Sequence, residues 1–128
     1  IIVGEVRSEE ALDMLQAMNT GHDGSISTGH ANSSNDMLTR LEMMVLMGAE
    51  LPLEAIKNQI ASAIDILIHL ERLRDGSRKV VSIEEVVGYQ KGEIKLSKIY
   101  EYDRQEKIIK KTGYNLQNKR KITDRYQL

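Results

Sequence analysis

Ile1, Ile2 and Val3 run unbroken into Gly4, the pattern of a parallel strand buried on both faces. Ser8 is placed to cap a helix, with Glu9 and Glu10 favourably set against its N-terminal dipole. Ala11, Met14, Leu15 and Met18 then fall at i, i+3, i+4 and i+7, one apolar helical stripe that Asn19-Thr20-Gly21 stops. Residues 24–29, Gly-Ser-Ile-Ser-Thr-Gly, are small and β-compatible and read as a short second strand. Strand, helix, strand predicts a parallel βαβ unit with a crossover of the usual hand.

Ser33, Ser34 or Asn35 can cap the next helix, whose stripe is Met37 or Leu38, Leu41, Met44 and Val45, with Gly48 at its end. Pro52 suits the first turn of a third helix that turns Ile56, Ile60 and Ala63 inward. From Ile64 the period changes to two. Ile64, Ile66, Ile68 and Leu70 alternate with Asp65, Leu67, His69 and Glu71, which predicts a strand with the isoleucine face buried. Asp75-Gly76 predicts a type I′ hairpin turn, Val81, Ile83 and Val86 a return strand, and Lys91-Gly92 a second turn. Ile94, Leu96, Ile99, Tyr100 and Tyr102 predict a further strand. Beyond about Arg104 the chain is charged and poor in apolar residues, and loop with partial order is expected.

With neither repeats nor a Pro- or Ser-rich linker, these elements predict one α/β domain over residues 1–128. Its parts are the strand-to-loop segment 1–32, the helices of 33–63, a β-meander over 64–103 and a basic tail over 104–128. A 41% hydrophobic and 29% charged composition is globular. No apolar run is long enough to span a bilayer. The absence of cysteine removes disulfides, thiolate metal sites and thiol nucleophiles together.

The net charge of −1 conceals an asymmetry. Residues 1–51 carry eight acids against Arg7 and Arg40; residues 91–128 carry eleven Lys/Arg against five acids. A basic end is commonly just a solvated face, but it also suits an acidic partner, a lipid surface or nucleic acid. Lacking Trp and Phe, the chain offers little surface for stacking bases, so direct nucleic-acid binding is not expected.

Candidate chemistry gathers in residues 1–32. Glu5 sits at the carboxyl end of the first strand, where open α/β sheets face their ligands. Arg7, two residues on, can pair bidentately with a carboxylate or phosphate. Taken alone, the same residues also describe a strand running into an exposed charged turn. His22 and His30 bracket a glycine-rich loop containing Thr28. Two histidines without cysteine make a poor metal frame, and no direct metal ligand is expected. Imidazole N–H, the Thr28 hydroxyl and glycine-freed backbone N–H groups are donors that a phosphate could accept, or they merely satisfy the loop's own turns. His69, amid apolar neighbours, is expected to be structural or at the surface.

These segments resemble a known family. Ile2-Val3-Gly4-Glu5-Val6-Arg7 resembles the atypical Walker B box of the ATPases of type II and type IV secretion, type IV and Tad/Flp pili, and conjugation. Residues Gly21 to Asn32 are similar to their His box, and Arg72–Arg78 followed by Ile83–Gly88 to a hairpin of the Tad (CpaF-like) branch. The resemblance implies the C-terminal part of a RecA-like P-loop ATPase domain, starting at the Walker B strand.

It further implies that Glu5 is the catalytic glutamate polarising water near magnesium, through a Mg2+-bound water if it approaches the metal at all. His30 would contact the γ-phosphate, with Gly4, Arg7, His22 and Thr28 in support. ATP and Mg2+ are the implied cofactors. The implied partners are further copies in a hexameric ring and an inner-membrane platform, on the cytoplasmic face of the membrane. The chain has no G-x-x-x-x-G-K-[ST] to cradle the α- and β-phosphates, so this chain in isolation is expected to be nearly inactive. A non-catalytic assembly module docking to a secretion platform, or a fragment of a conjugation-type DNA-transfer ATPase, is the alternative.

Overall fold

The computed structural model describes residues 1–119. Its elements run β1 (Ile2–Val3), α1 (Ala11–Asn19), β2 (Ile26–Ser27), α2 (Ser34–Gly48), α3 (Leu53–Ala63), β3 (Ile66–Arg72), β4 (Arg78–Gln90), β5 (Glu93–Asp103) and β6 (Ile108–Lys111). The mixed α/β class expected from the patterning is what forms. Residue contacts group the chain into two compact units, 1–65 with 88–95, and 66–87 with 96–128.

In the first unit β1 and β2 pair in parallel, Ile2 opposite Ile26 and Val3 opposite Ser27, with α1 as the crossover. The ladder extends past both strands: Ile26 N donates to Ile1 O (3.0 Å) and Val6 N to Thr28 O (2.9 Å). α1 packs on α2 and α3, and α2 on α3. The stripes read from the sequence supply the core. Ala11, Met14 and Leu15 are buried with Leu38, Leu41 and Val45, and with Ile56, Ile60 and Ala63. Each fully buried Leu, Ile or Val contributes roughly 1.5–3 kcal/mol, so this cluster is what holds the three helices together.

Ser33 caps α2: its Oγ accepts from Asp36 N at 3.0 Å, and the Asp36 carboxylate reaches back to Asn32 N at 2.9 Å. That is a reciprocal box which satisfies two otherwise orphaned donors. Ser8 behaves differently from its expected role. Helix α1 begins only at Ala11 with no side-chain cap, and Ser8 instead opens a preceding turn closed by Ala11 N on Ser8 O (3.1 Å). Glu10 holds that turn, accepting from Arg7 N (2.8 Å) and from Ser8 Oγ (2.6 Å).

The second unit carries β3, β6 and most of β4 and β5, whose sheet order is β3-β4-β5-β6. Three expectations are corrected here. First, period two is present in β3, but Ile66, Ile68 and Leu70 form its exposed face, and the half-buried face is Leu67, His69 and Glu71. Ile64 lies outside the strand, as the C-cap of α3. Second, the turn at Asp75-Gly76 is not type I′, since only Gly76 has positive φ; Gly76 N donates to Leu73 O at 2.9 Å in a longer loop. The two-residue turn with both φ values positive is Lys91-Gly92. Third, the stretch after Arg104 is not all loop. β6 pairs antiparallel with β5, Tyr102 opposite Ile109 and Asp103 opposite Ile108. The Asp103 carboxylate organises the intervening turn by accepting from Gln105 N and Glu106 N. The expected basic tail continues to residue 128, and its part after 119 lies outside the described residues.

Candidate functional site

Glu5 leaves the end of β1 with both carboxylate oxygens engaged. Oε1 lies 2.8 Å from His30 Nε2, and Oε2 accepts from Arg7 Nε at 2.7 Å. The three side chains differ in exposure: Glu5 is 22% exposed, Arg7 76% and His30 90%. The acid is therefore shielded while its partners face solvent. The Arg7 guanidinium, foremost, holds the Glu5 carboxyl below the usual carboxylate range; desolvation opposes this and His30 assists. Glu5 in turn raises Arg7. For His30 to meet Glu5 in its neutral form, Nε2 must carry the hydrogen, which leaves Nδ1 as the acceptor.

Backbone geometry explains why residues from separate loops meet here. Val6 N on Thr28 O continues the parallel pairing beyond β1 and β2, and the Thr28 hydroxyl donates to Gly4 O at 2.6 Å. Gly4 and Thr28 thus fasten the two strand ends together, so that Glu5 and His30 emerge on adjacent segments. Gly29, just before His30, packs so closely on α2 that an added Cβ would lie 2.8 Å from Met37 Sδ and Cε. The Asp36 carboxylate, fixed by Arg40 (3.0 Å) and Asn32 N, steadies the chain just after His30.

His22 is not brought into this cluster. Its Nδ1 lies 3.0 Å from Ala17 O, near the end of α1, and its carbonyl accepts from Ser25 Oγ at 2.6 Å. Thr28 has its proton committed to Gly4, so its support is to the scaffold. Two contributors were not read as part of the site: Glu10, noted only for its charge near the helix start, and Asp36. The Ser33-x-x-Asp36 spacing of a capping box was the available sign for Asp36; nothing local marks Glu10, because it reaches backward to Arg7. Among the described residues no three His, Asp or Glu side chains converge as a metal cage.

A shielded carboxylate at the C-terminal end of a parallel strand, flanked by an exposed arginine and imidazole, defines an α/β protein with a polar site at a strand end, where open α/β sheets face their ligands. More particularly, the chain belongs to the Type II/IV secretion system protein family, which it matches over residues 1–125. It is 39% identical over 90 residues to the conjugal transfer protein TrbB of Rhizobium radiobacter, covering 70% of this chain and 27% of that protein. It is 39% identical over 88 residues to the type IV secretion system protein PtlH of Bordetella pertussis, covering 65% of this chain and 26% of that protein. The fold is similar to the crystal structure of the VirB11 ATPase of the Brucella suis type IV secretion system in complex with sulphate. The TM-score is 0.62 at 32% identity, over 66% of this chain and 27% of that one. The chain spans under a third of the length of these relatives.

Proposed function

We propose that this chain forms the water-activating part of an ATP-hydrolysing secretion or conjugation motor. The observation that carries the reading is the Glu5 carboxylate held between His30 and Arg7 at the end of a parallel strand. Phosphoryl transfer is catalysed mainly by positioning and electrostatics: a group that orients water, and cations or donors that take up charge on the γ-phosphate. Glu5, kept ionised by Arg7, fits the first role. His30, exposed and already oriented by Glu5, fits the second, and a phosphate oxygen could compete with Glu5 for either partner.

ATP and Mg2+ are the cofactors this reading requires. One carboxylate is too little to cage the cation, but Mg2+ keeps several waters and takes one or two carboxylates plus substrate phosphates. Glu5 would therefore meet a magnesium-bound water rather than the metal. The phosphate-gripping loop has no counterpart among these 128 residues, so the chain by itself should bind ATP poorly and hydrolyse it hardly at all. Assembly into a hexameric ring on the cytoplasmic face of the membrane, against a platform protein, belongs to the same proposal.

Likeness to TrbB and PtlH supports conjugation or type IV secretion as the setting. The Arg72–Gly88 hairpin favours a second placement, in the Tad pilus branch. The deciding experiment is Glu5→Gln in the full-length parent protein. The motor reading expects turnover to collapse while nucleotide binding and assembly persist. Unchanged turnover would leave only a docking module.

A further inference from the structure

A capping box ordinarily returns its third helical side chain to the N–H of the cap residue itself. At the start of α2 it does not. Ser33 is the cap and Asp36 the third helical residue, yet the Asp36 carboxylate passes Ser33 and accepts from Asn32 N at 2.9 Å. Arg40 Nε holds the same oxygen, Oδ2, at 3.0 Å from one turn further along the helix. The Asn32 N–H, foremost, and then Arg40 keep the Asp36 carboxyl below its usual range, so the acceptor is ionised at neutral pH. Capping alone is served by the Ser33 hydroxyl, which accepts from Asp36 N. The bond to Asn32 reaches beyond the cap, towards His30.

His30 therefore has an anchor on either side. Before it, Gly29 lies so close to α2 that an added Cβ would stand 2.8 Å from Met37 Sδ and Cε. After it, Asn32 N is tied to Asp36. Both anchors are consecutive residues in the first turn of a helix whose Leu38, Leu41 and Val45 are buried against its neighbours. The backbone at His30 is thus referred to a packed helix rather than to the loop alone. Among the described residues the one polar partner of the His30 side chain is Glu5 Oε1, at 2.8 Å. The imidazole meets that carboxylate only if the backbone of residues 29–32 is set correctly. A displacement of about 1 Å at a reacting centre can cost roughly 10²-fold in rate.

We propose that Asp36 is a positioning residue for the hydrolytic site: it fixes His30 against Glu5 by holding Asn32 N, and Arg40 in turn fixes Asp36. This rests on the motor reading of Glu5 and His30, and the test separates the two. It is made by steady-state ATP hydrolysis in the full-length parent protein. Asp36→Ala is expected to lower kcat about ten- to a hundredfold, with KM for ATP little changed. Asp36→Asn keeps an acceptor oxygen for Asn32 N and should recover most of that loss.

Two further variants distinguish positioning from helix capping. Ser33→Ala deletes the other half of the cap, so it should lower Tm comparably while leaving kcat near wild type. Added to His30→Ala, Asp36→Ala should slow turnover no further, because both changes remove the same placed imidazole. A kcat loss in Asp36→Ala no greater than in Ser33→Ala would overturn the proposal and leave the motor reading standing. So would an Asp36→Asn protein as slow as Asp36→Ala, or losses that simply multiply in the double variant. Undiminished turnover in His30→Ala would instead overturn the role given to His30 in the motor reading, and this proposal with it.

Discussion

Glu5 Oε1 and His30 Nε2 stand 2.8 Å apart although a helix and a strand separate them in the chain. What joins them is the parallel pairing of β1 with β2, prolonged by Val6 on Thr28 and tied off by the Thr28 hydroxyl on Gly4. The site is thus a property of the βαβ unit rather than of either loop.

Replacing Glu5 by Gln keeps the shape and one acceptor oxygen but removes the charge that Arg7 and His30 orient around. In the full-length parent, kcat for ATP hydrolysis should fall about 10²–10⁴-fold, the usual contribution of a positioned proton-transfer group. Nucleotide affinity should change little. Steady-state hydrolysis alongside a fluorescent-nucleotide titration separates the two, and a variant that retains most of its turnover would remove Glu5 from the chemistry.

Glu10 is drawn down to about 2 from an ordinary 4.5, first by the Ser8 hydroxyl and then by the Arg7 backbone N–H. A depressed carboxyl stabilises the fold fully above its unfolded pKa, and that contribution is lost as pH falls through the folded value. The window is therefore pH 4.5 down to about 2. Glu10→Gln should melt lower than wild type at neutral pH and show a shallower fall of Tm through that acid window. Parallel Tm curves for the two proteins would show that the turn at residues 7–10 does not depend on this charge.

Two glycines make a paired test of packing. A Cβ at Gly29 would press 2.8 Å from the Met37 thioether, whose long side chain can swing aside. A Cβ at Gly48 would lie 2.9 Å from Glu9 Cβ, close to that residue's backbone, and cannot be relieved so simply. Helix propensity alone favours Ala at Gly48, the last residue of α2. The contact should win: Gly48→Ala is expected to cost about 1–3 kcal/mol and Gly29→Ala less. Urea unfolding of both variants checks the order, and a Gly48→Ala protein as stable as wild type would contradict the close approach.

Arg72 and Arg78 face each other across β3 and β4. Relief of that repulsion by Arg72→Glu should raise stability by roughly 0.2–1 kcal/mol at low salt, and by less at high salt, where screening already softens it. Chemical denaturation at two ionic strengths measures the difference. A variant less stable than wild type at both would mean that Arg72 has a favourable partner in the folded chain.

The first unit was largely legible because its helices bury whole apolar stripes, and Leu38, Leu41 and Val45 announce the inward face by spacing alone. β3 was legible only in period. Alternation shows that two faces exist, and hydropathy chose Ile66, Ile68 and Leu70 as the buried one. The half-buried face is Leu67, His69 and Glu71, where Glu71 takes Arg104 at 3.0 Å from the turn before β6. β6 itself was missed because Ile108-Ile109 is too short to carry a period, and its strand character comes from pairing with β5. At the site, residue types pointed to Glu5, Arg7 and His30, which do converge. They could not show that His22 turns to Ala17 instead, since that depends on how α1 ends.

Glu85 had no sequence sign at all, because its partners lie more than thirty residues on. It is 2% exposed, and its two oxygens accept from Gln117 N and Asn118 N, each at 2.8 Å. The carboxylate thereby fastens the segment after β6 onto the sheet. Removing it would leave two backbone donors to find water, at a cost of about 1–3 kcal/mol given that both residues lie at the surface. Glu85→Ala should therefore lower stability by that amount and speed hydrogen exchange at the Gln117 and Asn118 amides. Glu85→Gln, which keeps one acceptor oxygen, should fall between Ala and wild type. Exchange at these amides that stays at the wild-type rate in Glu85→Ala would show that the segment is held by other contacts.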